Sequence, residues 1–235
     1  MPAKLFLIPT PISPRSFFLT PANRRVIETL DYFVVEDTRT ARRFLASLKL
    51  GRDINNMLFA ELNEHTPQTE VESLLRPLFE ENRSGGILSE AGLPCVADPG
   101  SLLVAAAHRH GIEVVPLEGP SSLMLALMAS GANGQSFAFN GYLPIKQPKR
   151  SKMIRHYEKL AQSSGQTQIF IEAPYRNVKL MDDFLTTCSP TTNLTVAADL
   201  MDENQFIRTL QVAEWKKAGI FNLNKRPAIF ILSTP

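Results

Sequence analysis

The chain has 235 residues, 44% of them hydrophobic and 20% charged, a balance that excludes a largely disordered protein and suits one large or two small globular domains. A formal net charge of +2 does not mark a nucleic-acid binder by itself, although it would conceal a local basic patch. Two cysteines and four histidines, none paired at a ligand spacing, indicate neither a disulfide framework nor a metal site.

Residues 1–10 lack the long apolar core and small-residue cleavage site of a signal peptide, and no run approaches the ~20 apolar residues of a membrane span. A soluble cytoplasmic protein without membrane association is expected. Lys4–Ile8 is a short apolar run stopped by Pro9 and Pro11, which predicts a buried strand and a loop at its end. A helix over 22–30 and a strand over 32–36 follow, and Asp37 or Thr38 is placed to cap a helix starting near Arg39. A weaker strand is expected at 57–60. Helical spacing of Val71, Leu74, Leu75 and Leu78 predicts a helix over 66–81, with Pro77 inside it. A strand at 86–89, a turn-rich stretch at 90–100, a helix at 102–108 closed by Gly111, a strand at 112–116 and a helix at 121–129 complete the first half.

Alternation of strands and helices from residue 4 to residue 130 is the pattern of a mostly parallel sheet with helices on both faces. The glycine- and proline-rich stretch 131–152 changes that character. It places a boundary at residues 116–120 and two α/β domains, 1–116 and 117–235. In the second, strands are expected at 137–142, 168–172, 194–199, 206–212 and 228–232, with helices near 149–163 and 174–187. Two consecutive late strands suggest a hairpin and hence a mixed sheet.

Three turns follow predicted strands: Pro9-Thr10-Pro11-Ile12, Ser89-Glu90-Ala91-Gly92-Leu93-Pro94 and Glu118-Gly119-Pro120-Ser121-Ser122. In an open parallel sheet such turns share one edge, where ligands bind. Gly92 and Gly119 would admit close backbone approach, and Ser121 and Ser122 open a helix. Each turn also reads as an ordinary connection with a helix cap. No G-x-x-x-x-G-K-[ST], G-x-G-x-x-G or G-x-S-x-G string is present, which argues against a P-loop hydrolase, a dinucleotide dehydrogenase and an α/β-hydrolase.

Five segments together carry a resemblance: LIPTPI (Leu7–Ile12), VVEDTRTARRFL (Val34–Leu45), LSEAGLPCVADPG (Leu88–Gly100), VVPLEGPSSLMLALMASG (Val114–Gly131) and FNGYLP (Phe139–Pro144). In order and spacing they are similar to the ribosomal RNA small-subunit methyltransferase I family of the tetrapyrrole methylase superfamily, across roughly the first 145 residues. FIEAPYR (Phe170–Arg176) resembles a later family segment in which a Glu and an Arg recur after a strand. The resemblance implies a two-domain tetrapyrrole-methylase-like α/β fold. It implies a homodimer that binds S-adenosylmethionine between its domains without a metal and transfers a methyl group to a ribose 2′-hydroxyl of small-subunit ribosomal RNA. Carried over by motif, the cofactor would touch Pro9, Glu90, Ala91, Gly92, Val96, Ser121, Ser122 and Ile171. By the wider pattern it would also touch Ala197 or Ala198, and Pro227 and Ala228. The chain departs from the family at four places. Ser13-Pro14-Arg15 replaces Gly-Asn-Leu, and Glu90 replaces an Asp. Ala197-Ala198-Asp199-Leu200-Met201-Asp202 replaces Ala-Arg-Glu-Leu-Thr-Lys, and Asn224-Lys225-Arg226-Pro227 stands at a Lys-Gly-Glu.

A ribose hydroxyl needs a base or an acceptor beside it. Glu36, Asp37 and Glu90 are the catalytic candidates, with Asp98 and Glu172 in neighbouring motifs. Asp37 also reads as a helix cap and Asp98-Pro99-Gly100 as a turn. Arg24, Arg25, Arg39, Arg42 and Arg43 form one basic group, and Lys146, Lys149, Arg150, Lys152 and Arg155 another. Both would grip RNA phosphates or simply be solvated helix faces. Phe137, Phe139 and Tyr142, alternating on one strand, read as core ahead of a base-stacking platform, and Met124 and Met128 as packing ahead of a lining for an adenine pocket. Two other functions fit the same segments: methylation of a small molecule such as a tetrapyrrole, and S-adenosylmethionine binding without catalysis.

Overall fold

The computed structural model describes residues 2–13, 19–219 and 221–234. Pro14 and Arg15, part of one family departure, lie outside the described residues. The chain divides into two compact units, Met1–Ser121 and Ser122–Pro235.

In the first unit β1 (Lys4–Ile8), β2 (Tyr32–Val35), β3 (Leu58–Glu61), β4 (Gly85–Leu88) and β5 (Glu113–Pro116) form a sheet in the order β3-β2-β4-β1-β5. Every pairing in it is parallel. The period-2 alternation of strand side chains builds two cores. Leu5, Tyr32, Val34 and Ile87 meet Leu103 and Ala106 of α5 (Ser101–Arg109) on one face. Ile8, Phe33, Val35 and Leu88 meet Ile27 of α1 (Pro21–Thr29) and Ala41 and Leu45 of α2 (Thr38–Ser47) on the other.

Local sequence explains where these helices start. The Thr20 hydroxyl accepts the Asn23 N–H at 3.1 Å ahead of a proline in the first turn of α1. Asp37, rather than Thr38, caps α2 by accepting the Thr40 N–H at 2.7 Å. Gly111 ends α5 with φ +66°. The helix expected over 66–81 is three pieces: α3 (Gln68–Val71), a 3-10 turn (Glu72–Leu75) and α4 (Arg76–Glu80). Pro77 has no N–H to give and clashes with the preceding turn, so it sits in the first turn of a new helix. Val71, Leu75 and Leu78 still reach the core.

In the second unit β6 (Phe137–Tyr142), β7 (Thr167–Ile171), β8 (Asn193–Ala198), β9 (Phe206–Gln211) and β10 (Ala228–Ser233) run in the order β6-β7-β10-β8-β9. β6 and β7 are parallel and the other pairs antiparallel, so the sheet is mixed. Phe170, Val196, Ala198 and Phe230 face a core shared with α7 (Lys149–Ser164), α8 (Asn177–Thr187) and α9 (Val212–Ala218), through Ile154, Phe184 and Trp215. α6 (Ser122–Ser130) lies against β8, β9 and β10, and the Thr209 hydroxyl donates to the Ser130 carbonyl at 2.8 Å. α9 escaped the sequence reading, which ran the strand through Val212. A capping box between Gln211 and Glu214 turns the chain there.

Two expectations about apolar residues are corrected. The β6–β7 register shifts between Phe139 and Tyr142, at Gly141 with φ +62°. This bulge leaves Tyr142 60% exposed, and Phe137 is exposed as well. In α6 the buried stripe is Leu123, Ala126, Leu127 and Ser130, so Met124 and Met128 lie on the exposed side, Met128 at 78%. Among the described residues no helix is long and apolar enough to cross a membrane.

Candidate functional site

Because the first sheet is all parallel, the loops after β1, β2, β4 and β5 emerge at one edge. α1 follows β1 and α5 follows β4, on opposite faces of the sheet. The neighbouring ends of β1 and β4 therefore form a topological switch point, the place where such sheets bind ligands. The predicted turns meet there. Thr10 and Gly92 exchange backbone hydrogen bonds at 2.9 and 3.2 Å. Gly92 has φ +80°, and a Cβ on it would stand 3.2 Å from Ile12 Cγ2 and 3.4 Å from the Pro120 carbonyl. A Cβ on Gly119 would stand 2.1 Å from Pro9 Cβ, so these two loops touch only because residue 119 is glycine. The Asn23 amide holds the Glu118 carbonyl at 2.8 Å.

Thr10 Oγ1 is buried among these loops without a partner among the described residues, and so is Asp98 Oδ2. Such unspent hydrogen-bonding capacity is uncommon in a folded chain and belongs where a polar ligand or water enters. The segment behind Gly92 is held in an unusual shape. Cys95 and Ala97 have φ +67° and +64°, and the Asp98 carboxylate fixes them by accepting the Cys95 and Gly100 N–H groups at 2.7 and 2.9 Å. Val96, between the two strained residues, is exposed.

A cavity of about 350 Å³ opens beside the switch point. Val35, Leu88, Ala41 and Phe44 give it apolar walls, and Glu36, Glu90 and Arg43 line it as well. Glu36 Oε1 accepts the Glu90 N–H at 3.2 Å. Burial pushes the Glu36 carboxyl above its usual range against that hydrogen bond, and the nearby Asp98 and Glu90 charges add to the rise. Glu90 is raised chiefly by burial and then by the Asp37 charge. Asp37 itself is lowered by its bonds to Thr40, in keeping with its service to the helix. Asp98 is raised by burial and is engaged with the turn.

The second unit gathers another set. Ile171, Ala197, Ala198 and Ala228 lie on three adjacent strands, with Ala228 opposite Ala198, and Ile229 opposite both Ala197 and Ile171. Ala198 and Ala228 point into the core with Phe170 and Phe230, so they offer a ligand only backbone. Ala197, buried but on the opposite face, shares it with Ile171 and Ile229. Pro227 is exposed and its carbonyl accepts the Asp199 N–H at 3.0 Å. Ser121 and Ser122 are half-buried at the start of α6.

Two departures from the family pattern meet here. Arg226 Nε donates to Asp199 Oδ2 at 2.5 Å and its NH2 group to the Asn204 carbonyl at 2.6 Å, with the guanidinium 4.4 Å from the centre of the Phe221 ring. The replaced residues thus form an ion pair that ties the loop after β8 to the one before β10.

Several expected roles are corrected. Glu172 is no free base. Its side chain is fully buried and accepts from Arg150, the Ala173 N–H and both Nε and NH2 of Arg176. Arg150 cannot grip phosphate: only 2% exposed, it pairs with Glu172 at 2.5 Å and Asp183 at 3.1 Å and donates to the Pro144 carbonyl at 2.7 Å. Arg24 donates to the Leu48 and Lys49 carbonyls past the end of α2. Arg42 donates to Asn55 and lies over the Phe59 ring. Arg25, Arg39 and Arg43 in the first unit, and Lys146, Lys149, Lys152 and Arg155 in the second, remain exposed.

Comparison with known proteins adds three findings. A family model described as Tetrapyrrole (Corrin/Porphyrin) Methylases matches residues 5–215. A Ribosomal RNA small subunit methyltransferase I of Vibrio cholerae is 32% identical over 89% of this chain and 69% of its own length, and one of Xylella fastidiosa 34% identical over 79% and 64%. The crystal structure of a Uroporphyrin-III C-methyl transferase from Thermus thermophilus complexed with S-adenyl homocysteine superposes with a TM-score of 0.56 at 16% identity, covering 98% of this chain and 97% of that one.

Proposed function

We propose that this chain, which belongs to the tetrapyrrole (corrin/porphyrin) methylase family, is an S-adenosylmethionine-dependent methyltransferase acting on a ribose 2′-hydroxyl of small-subunit ribosomal RNA. The observation that carries the choice of acceptor is the 32% identity to a ribosomal RNA methyltransferase over 89% of the chain. Arg43, which lines the cavity, exposed Arg25 and Arg39 on α1 and α2, and exposed Lys149, Lys152 and Arg155 along α7 provide cations for a polyanion.

The residues present suit an adenosyl cofactor. Gly92 and Gly119 keep side chains out of the way at the switch point, where Pro9 packs against Gly119 and Thr10 holds an unspent hydroxyl. Glu90, Ala91, Val96, Ser121 and Ser122 would complete the holding set from the first unit and its boundary. In the second unit, Ile171, Ala197, Ala198, Pro227 and Ala228 are the positions that the family pattern assigns to the cofactor. When bound, the cofactor supplies a methyl group already activated on a sulfonium sulfur. The protein's work is then alignment, worth up to ~7–11 kcal/mol, and care of one proton.

Glu36 takes that proton from the acceptor hydroxyl. It lies at the strand end beside the cavity, its orientation fixed by the Glu90 N–H. Glu90 adds negative charge at the same place, and Asp37 supports both through the cap of α2. A carboxylate acts as a base only when ionised, and burial raises Glu36 above its ordinary 4.5. The rate should therefore climb with pH along an acid limb displaced upward from the normal glutamate range. Glu36→Gln is expected to lower kcat by about 10²–10⁴ and to remove that limb. An unchanged profile in the variant would assign the proton elsewhere.

The whole reading is tested by incubating the protein with methyl-tritiated S-adenosylmethionine and small ribosomal subunits from cells lacking the protein. Label in the RNA is expected. Label only in an added tetrapyrrole would select small-molecule methylation. Cofactor binding without transfer to either would select a non-catalytic binding role.

A further inference from the structure

The 3-10 turn Pro174–Arg176 after β7 presents an aromatic ring that the methyl transfer above leaves unused. Tyr175 is 68% exposed. The Arg176 guanidinium sits 5.1 Å from the centre of its ring, and Arg176 NH1 donates to the Tyr175 hydroxyl at 3.0 Å. Arg176 is itself fixed. Its Nε and NH2 groups donate to Glu172 Oε1 at 2.9 and 2.6 Å. The other Glu172 oxygen is held by the buried Arg150. Burying an arginine and a glutamate is costly, and here the pair keeps one surface guanidinium, and through it one surface ring, in a single arrangement.

The surroundings indicate what such a ring would meet. Tyr142, the residue turned out by the β6 bulge, pairs with Ile171 at the end of β7, the strand that leads into this turn. Lys225 hangs its backbone on the Pro174 carbonyl at 3.1 Å and is exposed. Lys146 and Lys149, also exposed, flank the segment that Arg150 bonds to Glu172. An ordered exposed ring, a second exposed ring on the neighbouring strand and exposed lysines on the adjoining segments suit a ligand with flat faces joined by anionic links, and single-stranded nucleic acid is that ligand.

We propose that Tyr175, ordered by Arg176 and flanked by Tyr142, is a stacking platform for an unpaired nucleobase of the RNA substrate, with Lys146, Lys149 and Lys225 taking the adjoining phosphates. The proposal rests on the RNA reading above and adds to it the residues that grip the strand. Pre-ordering matters because a ring that is already immobile loses little freedom when a base settles on it. Glu172 and Arg150 are positioning residues in this scheme, since neither reaches the surface.

The test is steady-state methylation of small ribosomal subunits by the wild type, Tyr175→Ala, the Tyr142→Ala/Tyr175→Ala double variant and Tyr175→Phe, with S-adenosylhomocysteine titrated into each. The double variant should raise KM for subunits roughly tenfold or more while its S-adenosylhomocysteine affinity stays within about twofold. Tyr175→Phe, which keeps the ring and loses the hydroxyl, should recover most of the loss seen on truncating Tyr175. A wild type that methylates RNA beside a double variant with unchanged KM would overturn the platform and leave the RNA reading standing. A fall in S-adenosylhomocysteine affinity with KM intact would overturn it by assigning the rings to the cofactor. A Phe variant as impaired as the truncated one would replace stacking with a role for the hydroxyl. No label from the wild type would remove the platform and the RNA reading together.

Discussion

Arg150→Met should destabilise the second unit by about 3 kcal/mol, a fall of roughly 10 °C in its unfolding midpoint. Arg150 is 2% exposed and its guanidinium serves three acceptors: Glu172 Oε2, Asp183 Oδ2 and the Pro144 carbonyl. Methionine fills much of the same space, so the loss is electrostatic more than steric. Two buried carboxylates are left without their shared cation, and a carbonyl without its donor. The loss is expected at the low end of the range for breaking a buried pair, because Arg176 stays on Glu172 and Lys179 on Asp183. Adding Glu172→Gln and Asp183→Asn removes the stranded charges and should recover much of the stability. Urea or thermal unfolding of the single and triple variants measures both steps. A single variant within a few tenths of a kcal/mol of wild type would mean that water or a shifted side chain replaces Arg150 at no cost.

Gly119→Ala should damage the cofactor site more than it damages the fold. The added Cβ would stand 2.1 Å from Pro9 Cβ and 2.3 Å from Pro9 Cγ. A proline ring cannot rotate out of the way, and Pro9 is held between β1 and the Thr10–Gly92 backbone pair. The loops after β1 and β5 must therefore part, at a cost of about 1–3 kcal/mol in stability. Affinity for S-adenosylhomocysteine should drop at least about tenfold if the loops hold the cofactor, since 1.4 kcal/mol of misplaced contact suffices for that factor. Gly134→Ala is the control, because a Cβ there meets nothing within 4 Å. Equal affinity in Gly119→Ala and wild type, by calorimetry, would move the cofactor away from this edge.

The strands and their faces were legible because hydrophobic alternation and punctuation by proline and glycine are local. Tyr32 and Val34 against Phe33 and Val35 already specify a two-sided sheet. The meeting of the three turns was legible too, because parallel strands force their exits onto one edge. What escaped was whatever depends on partners distant in sequence. Arg24, Arg42 and Arg150 look like surface cations in the sequence, but each is committed to groups 13 to 33 residues away. Nothing near Glu172 in the chain reveals that Arg150 will bury it. Asp199 and Arg226 each break a family motif, and only the fold shows that they break it together. The bulge that exposes Tyr142 needed the register of β6 against β7. Pro77 was visible in the sequence, but its outcome, a fresh helical start after a 3-10 turn, was set by the need to bury Leu75 and Leu78.

The most direct measurement is alkaline hydrolysis of small-subunit RNA labelled by this protein with methyl-tritiated cofactor. A methyl group on a ribose 2′-oxygen removes the nucleophile with which alkali cleaves the next phosphodiester. The label should therefore emerge in an alkali-resistant dinucleotide, whereas label in mononucleotides would put the methyl group on a base and contradict the assignment.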